Sequence, residues 1–308
     1  MSDLQHAIII QILLCACLFL TGRRLGVRRD SARFRLAVFS AVLAMVIYGG
    51  WLWNRPVMAA ILPTSSLIVL ANWLPLWGCF FAGIYLQSAS VTVWRRSLIG
   101  VACLAACLYS TIQPLIGERP ECGTGLMTVG GLQYQSTPYT CSAACAVSLL
   151  SLHSIDATEA ELTEMCLTRE GTHWMGLYRG LKLKTADTAW DVEVSSFDPS
   201  ALSSSKYDSP GILALDLDPS VFPPDIDHGF QSDVGHSVVF LEKQGHSVIT
   251  VFDPSPDFGV ENWGTDVLRC VRGGVVLQLV PRNRDMALSP VQRRISTALM
   301  QKGLTAGL

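Results

Sequence analysis

Gln135-Ser136-Thr137-Pro138-Tyr139-Thr140-Cys141, running into Ser142-Ala-Ala-Cys-Ala-Val-Ser-Leu-Leu-Ser-Leu152, is the stretch on which the reading of this chain turns. Pro138 fixes an extended turn. Beyond it the Ala-, Val- and Leu-rich run contains no breaker, which predicts a helix that opens at Cys141. Unpaired N–H groups and the positive end of the dipole at a helix N-terminus favour thiolate over thiol. Gly235-His236 and Asp253-Pro254 follow in the second half of the chain. A thiol, an imidazole, a carboxylate and a side-chain amide are the four parts of a cysteine acyl-transfer site.

Working outward, Thr158-Glu-Ala-Glu161 reads as a capping box for a second helix reaching about residue 167. Thr172 is placed as the cap of a third, with Trp174, Leu177 and Leu181 on one face. Short strand-like runs come next, at 192–197, 212–217, 237–241, 247–252 and 275–280. Tight turns such as Lys243-Gln-Gly-His246 join them. Helices first and antiparallel strands after describe an α+β layer fold. If 237–241 and 247–252 form a hairpin, His236 and Asp253 lie at neighbouring strand ends. A carboxylate must stand there to hold the imidazole tautomer.

Composition divides the 308 residues near position 118. Of the 25 Asp and Glu residues, only Asp3 and Asp30 come earlier, and every Lys-or-Arg position before that point is an arginine. The net charge of −2 therefore averages a basic apolar half and an acidic polar half. A nucleic-acid surface needs a clustered basic face, and the sequence offers none. Apolar segments at 7–22, 36–53, about 66–86 and about 97–116 stand out. A membrane span takes about 20 helical residues, so about four transmembrane helices are expected. Pro63, Asn72 and Pro75 leave room for a short re-entrant piece in the third. Trp51, Trp53, Trp73 and Trp77 suit an interfacial belt. Four helices buried in a soluble core are the alternative, which so many uncharged residues in succession disfavour.

The first apolar run lacks a basic flank before it, and its arginines come after it, unlike a signal peptide. Arg23, Arg24, Arg28, Arg29, Arg33 and Arg35 follow the first span, Arg95 and Arg96 precede the fourth, and only Arg55 lies in the loop between the second and third. The positive-inside rule puts both arginine-rich loops in the cytoplasm. The domain after residue 118 is then expected on the outer, periplasmic side of a bacterial inner membrane. The resulting division is a polytopic membrane domain at 1–117, a catalytic-type domain at 118–282 and a tail at 283–308, read as an amphipathic helix after Pro290.

Between about Gly131 and Val280 the chain resembles the bacteriocin-processing (double-glycine) papain-like cysteine peptidases. That family has a glutamine six positions before its cysteine, as Gln135 stands before Cys141. Its histidine opens a strand, and the next strand ends in Asp-Pro, matching His236-Ser-Val-Val and Val251-Phe-Asp253-Pro254. Gly171-Thr172-His173 before a Leu-rich helix also looks like the family's pattern. The resemblance implies Cys141 as nucleophile, His236 as general base and acid, Asp253 as its orienter and Gln135 as oxyanion donor, acting on a peptide or protein substrate without a cofactor. Thr140 and Ser142 depart from the family's acidic residue and glycine on either side of the cysteine. Family members fused to ABC exporters carry the peptidase ahead of their membrane helices. This chain reverses that order and shows no Gly-rich nucleotide-binding loop followed by Lys-Ser or Lys-Thr.

Other readings stay open. The same groups could serve an amidase or acyltransferase, or a membrane receptor that binds peptides uncut. The membrane half could have a transport activity, although its spans hold no carboxylate or lysine to mark an ion path. Metal binding is disfavoured because no CxxC occurs. Cys122, Cys145, Cys166 and Cys270 could pair as disulfides or stand as single core residues. His153, His173, His228 and His246 read as surface or loop residues.

Overall fold

In the computed structural model the described residues are 2–27, 31–87, 91–123, 125–128, 130–202, 209–218, 235–245 and 247–283. They belong to two compact units, Met1–Ile116 and Gly117–Leu308. The tail from 284 onward, with its expected helix after Pro290, lies outside the described residues, as do His228 and His246.

The first unit is helical: α1 (Ser2–Gly26), α2 (Ala32–Ile47, continued by a π turn at Tyr48–Leu52), α3 (Val57–Ile61), α4 (Leu67–Leu70), α5 (Leu74–Tyr85) and α6 (Val93–Ile112). Four stretches are long and apolar enough to cross a membrane: Asp3–Gly26, Ala32–Leu52, Leu67–Tyr85 and Val93–Leu115. Large apolar side chains such as Leu36, Phe39 and Val101 point outward, as lipid-facing surfaces do. The third stretch is the most enclosed of the four. Where the sequence left room for a re-entrant piece, the chain forms α3 and then a helix interrupted between Leu70 and Leu74.

Backbone groups freed at such a break need partners at membrane depth. Two neighbouring segments supply them, and the Asn72 side chain ties the break to a third. Gln11 Nε2 donates to Asn72 O (2.6 Å), and Asn72 Nδ2 donates to Ser110 O (3.0 Å) and Ser110 Oγ (2.9 Å). The Tyr48 hydroxyl donates to Ala71 O (2.7 Å) and accepts the Trp73 N–H (3.2 Å). Beside this knot α1 and α5 meet backbone to backbone. A Cβ on Gly22 would stand 2.2 Å from Phe80 O, and one on Gly83 2.2 Å from Phe19 O. Small residues permit this close approach in membrane helix pairs.

The second unit is α7 (Cys141–Leu152), α8 (Glu159–Met165), α9 (Trp174–Thr185), β1 (Trp190–Ser196), β2 (Gly211–Leu217), β3 (His236–Gln244), β4 (Val248–Asp253), β5 (Gly259–Trp263), the short α10 (Thr265–Leu268) and β6 (Val271–Pro281). All six strands pair antiparallel in the order β1-β6-β2-β3-β4-β5. The expected α+β fold, helices packed on an antiparallel sheet, is what forms. Helix α7 packs on β2 and β3, and α9 packs on β1. Every residue of α7 except Ser151 is buried. Its alanines let it sit close to the sheet, and each fully buried leucine contributes about 1.5–3 kcal/mol. A separate apolar cluster joins Leu213 and Leu215 of β2, Val238 and Phe240 of β3, Ile249 and Val251 of β4, Trp263, and Val267 and Leu268 of α10. Alternation along the strands sends Ser237 the other way, onto α7.

Local signals explain much of this. Thr158 Oγ1 accepts the Glu161 N–H (3.2 Å), so α8 opens as its sequence predicts. The cap of α9 is His173, not Thr172: its Nδ1 accepts the Met175 N–H (3.2 Å), while Thr172 is engaged with Thr168. Gly245 takes the positive φ (69°) that the tight β3–β4 turn requires. Strand β5 and helix α10 were not expected from the sequence.

Candidate active site

Cys141 is the first residue of α7 and His236 the first of β3, and Asp253 ends β4. The β3–β4 hairpin pairs Val239 with Phe252, which brings the outer strand ends together. His236 Nε2 and Asp253 Oδ2 are 2.7 Å apart. Asp253 is 1% exposed, and its other oxygen accepts the Ser255 N–H (2.8 Å). The carboxylate is thus held from two sides. The Cys141 thiol is hydrogen-bonded to the His236 ring.

Electrostatics follow from this chain of three. Burial by itself would raise the Cys141 thiol. The hydrogen bond and charge of His236, aided by the Ser237 backbone and the Ser142 side chain, outweigh it and bring the thiol below its usual range. Burial would lower His236, but hydrogen bonds and charges from Asp253 and Cys141 carry it up to about 10. Thiolate beside imidazolium is therefore the favoured resting pair. Position one of a three-turn helix adds in the same direction. Cys145, one turn further along α7, is pushed the other way by burial and by the charges of Cys141 and Asp253. It donates to Ser237 O (3.2 Å) and is a structural thiol.

Gln135 reaches this neighbourhood through its backbone, whose N–H donates to Pro254 O (2.8 Å), the residue after Asp253. Its side-chain Oε1 is buried without a hydrogen-bond partner. Cys141, His236 and Asp253 are joined side chain to side chain, and Gln135 is docked beside them by its main chain. Among the described residues no group of three or more His, Cys, Asp or Glu side chains has a metal-binding arrangement.

No family model matches this chain, and neither does any curated protein. Among solved structures it is similar to the peptidase domain of Streptococcus ComA, a bi-functional ABC transporter involved in a quorum-sensing pathway. Identity there is 16%, over 48% of this chain and 96% of that one, with a TM-score of 0.40. For the peptidase domain of Streptococcus mutans ComA the identity is 17%, over 49% and 99%, with a TM-score of 0.33. The chemistry of the site rests on its own geometry.

One other histidine is not the surface group the sequence suggests. His153 is 7% exposed, its Nδ1 lies 2.8 Å from Leu149 O, and its ring stands edge-on to Trp190. Burial lowers His153, which keeps it neutral, whereas His173 is exposed at the helix cap, as expected. Cys122, Cys145, Cys166 and Cys270 are all free thiols. Sequence reasoning missed the Ser142–Ser237 hydroxyl pair (2.8 Å) and the buried carboxylate of Glu159. Glu159 follows a helix cap, where glutamates are usually solvated, so no local signal gave it away.

Proposed function

We propose that the chain is a membrane-anchored cysteine peptidase. The observation that carries this reading is the buried series Cys141–His236–Asp253, with its 2.7 Å imidazole–carboxylate contact and its lowered thiol. In the proposed reaction the Cys141 thiolate attacks a peptide carbonyl. The Gln135 side-chain amide and the Cys141 N–H stabilise the oxyanion. His236 then gives a ring proton to the departing amine as the C–N bond breaks. Water, deprotonated by the same ring, cleaves the thioester and regenerates the thiolate. Asp253 holds the ring and offsets its charge throughout.

The arginine-rich segments around 23–35 and 95–96 support an orientation with the domain on the outer face of a bacterial cytoplasmic membrane. The family resemblance makes leader peptides cleaved after paired glycines the first substrates to assay. The test is the pH dependence of Cys141 alkylation by iodoacetamide in the full chain, with the labelled peptide mapped. A thiolate populated well below about 8.5, and lost in His236→Ala, is the expected result. Cys141→Ala should abolish every cleavage product. An ordinary thiol indifferent to His236 would instead favour a receptor that binds peptides without cutting them.

A further inference from the structure

Glu159, the first residue of α8, is 4% exposed, yet it forms no ion pair among the described residues. One carboxylate oxygen, Oε1, accepts the Ser136 N–H at 2.8 Å, and the other, Oε2, has no hydrogen-bond partner. Gly125 closes over it, since a Cβ there would stand 3.0 Å from Oε2. Burying a carboxylate without a cation is costly, and an apolar residue of similar size would serve a mere packing position better. What the carboxylate does is fix one amide, and that amide directly follows Gln135.

The placement matters because of how Gln135 is held. Its own N–H is tied to Pro254 O, at the end of β4, and the next N–H is tied to Glu159 on α8. Two consecutive amides are therefore pinned to two different elements, with the Gln135 Cα between them. The side chain gets no such help, because its Oε1 is buried unpartnered. Its aim depends on the backbone beneath it. We propose that Glu159 is a positioning residue for oxyanion stabilisation, acting through the Ser136 amide to direct the Gln135 side chain. This rests on the cysteine-peptidase reading and adds a residue to it.

The experiment compares two reactions of Cys141 in the full chain, both followed on the Cys141 peptide by mass spectrometry. Iodoacetamide is attacked at a saturated carbon and loses iodide, so no oxyanion forms. With p-nitrophenyl acetate the sulfur–carbon bond forms through a tetrahedral oxyanion, and nitrophenolate then leaves. Loss of an oxyanion donor costs on the order of 10²–10³ in rate, and its misplacement somewhat less. Glu159→Met should therefore slow acetylation by about tenfold to a hundredfold and leave alkylation within about twofold. Glu159→Gln, whose amide oxygen can still accept the Ser136 N–H, should restore most of the rate. In a Gln135→Ala background Glu159→Met should add nothing further.

Equal slowing of both reactions would overturn the proposal and make Glu159 a structural support. So would unchanged acetylation, or a full additional loss on top of Gln135→Ala. If wild-type protein neither takes up acetyl at Cys141 nor releases nitrophenolate in a Cys141-dependent way, the peptidase reading itself fails and this role falls with it. Brisk wild-type acetylation that is indifferent to Glu159 sinks the positioning role alone.

Discussion

Both units place polar groups where water is scarce, but they treat them in opposite ways. At the break itself the bonded groups are neutral: Gln11 with the Asn72 carbonyl, Asn72 with Ser110, Tyr48 with Ala71 and Trp73, although Trp77 Nε1, a turn further on, is buried without a partner. Around Cys141 the groups ionise, and two buried oxygens, Gln135 Oε1 and Glu159 Oε2, have no partner. A hydrogen bond of the first kind contributes on average about 0.6 kcal/mol in a membrane protein, and up to about 1.7. A buried polar group left without a hydrogen bond costs about 1–3 kcal/mol. The first arrangement therefore fixes a backbone at little expense. The second leaves buried oxygens unbonded at a cost to stability, in keeping with the proposed chemical role.

The sharpest way to break this contrast is to neutralise the carboxylate of the reactive set. Asp253→Asn removes a charge that raises His236, so burial, which lowers it, takes over. The inflection near pH 10 should move to lower pH, and the Cys141 thiolate loses its cationic partner. At pH 7 alkylation of Cys141 should slow by about tenfold to a hundredfold, as the thiol returns toward its ordinary range. Hydrolysis of a peptide substrate should fall further, by on the order of 10³–10⁴, since the imidazole tautomer is also lost. Alkylation profiles that superimpose for the two proteins would mean that Asp253 does not govern the pair.

Much of this site is legible in the sequence because it depends on local signals. Cys141 opens a helix because Pro138 ends the extended segment and nothing breaks the apolar run after it. His236 and Asp253 meet because a tight turn with Gly245 pairs β3 with β4, bringing together two residues only 17 positions apart. The illegible parts are those settled by distant pairing. Strand β6 lies between β1 and β2, so it joins residues from 54 (Leu217 with Val271) to 91 (Trp190 with Pro281) positions apart by a register that no local pattern encodes. Strand β5, Gly259–Trp263, alternates weakly because it borders the sheet, where Asn262 stays exposed and Glu261 is only half-buried. Glu159 and His153 look solvated by composition and are buried by segments that close over them.

A smaller effect is expected from the neutral set. Asn72→Leu removes two donated bonds to Ser110, whose backbone oxygen lies within a helix, and leaves the Gln11 bond to the residue 72 carbonyl in place. The loss should be about 0.5–2 kcal/mol of stability in detergent, read as a lower unfolding midpoint. Alkylation of Cys141 should keep its rate and its pH profile. A changed profile would show that the two units are energetically coupled, and the contrast between a structural and a chemical set would no longer hold.

The smallest expected effect tests whether a neutral pair inside the reactive unit behaves like the neutral set of the first. Ser142 and Ser237 share a buried hydroxyl contact of 2.8 Å, and Ser142 also helps to lower the Cys141 thiol. Either single change to alanine strands one hydroxyl in the core, at about 1–3 kcal/mol, whereas removing both is close to neutral. The double variant should therefore be more stable than either single one, and its thiol should sit slightly higher than in the wild type. Ser142 also stands where the resembled family has glycine. The structure gives the exchange a physical reason: with glycine there, Ser237 would have no side chain to meet. If instead the double variant is the least stable of the three, the pair is not self-contained and the hydroxyls belong to the charged network around Cys141.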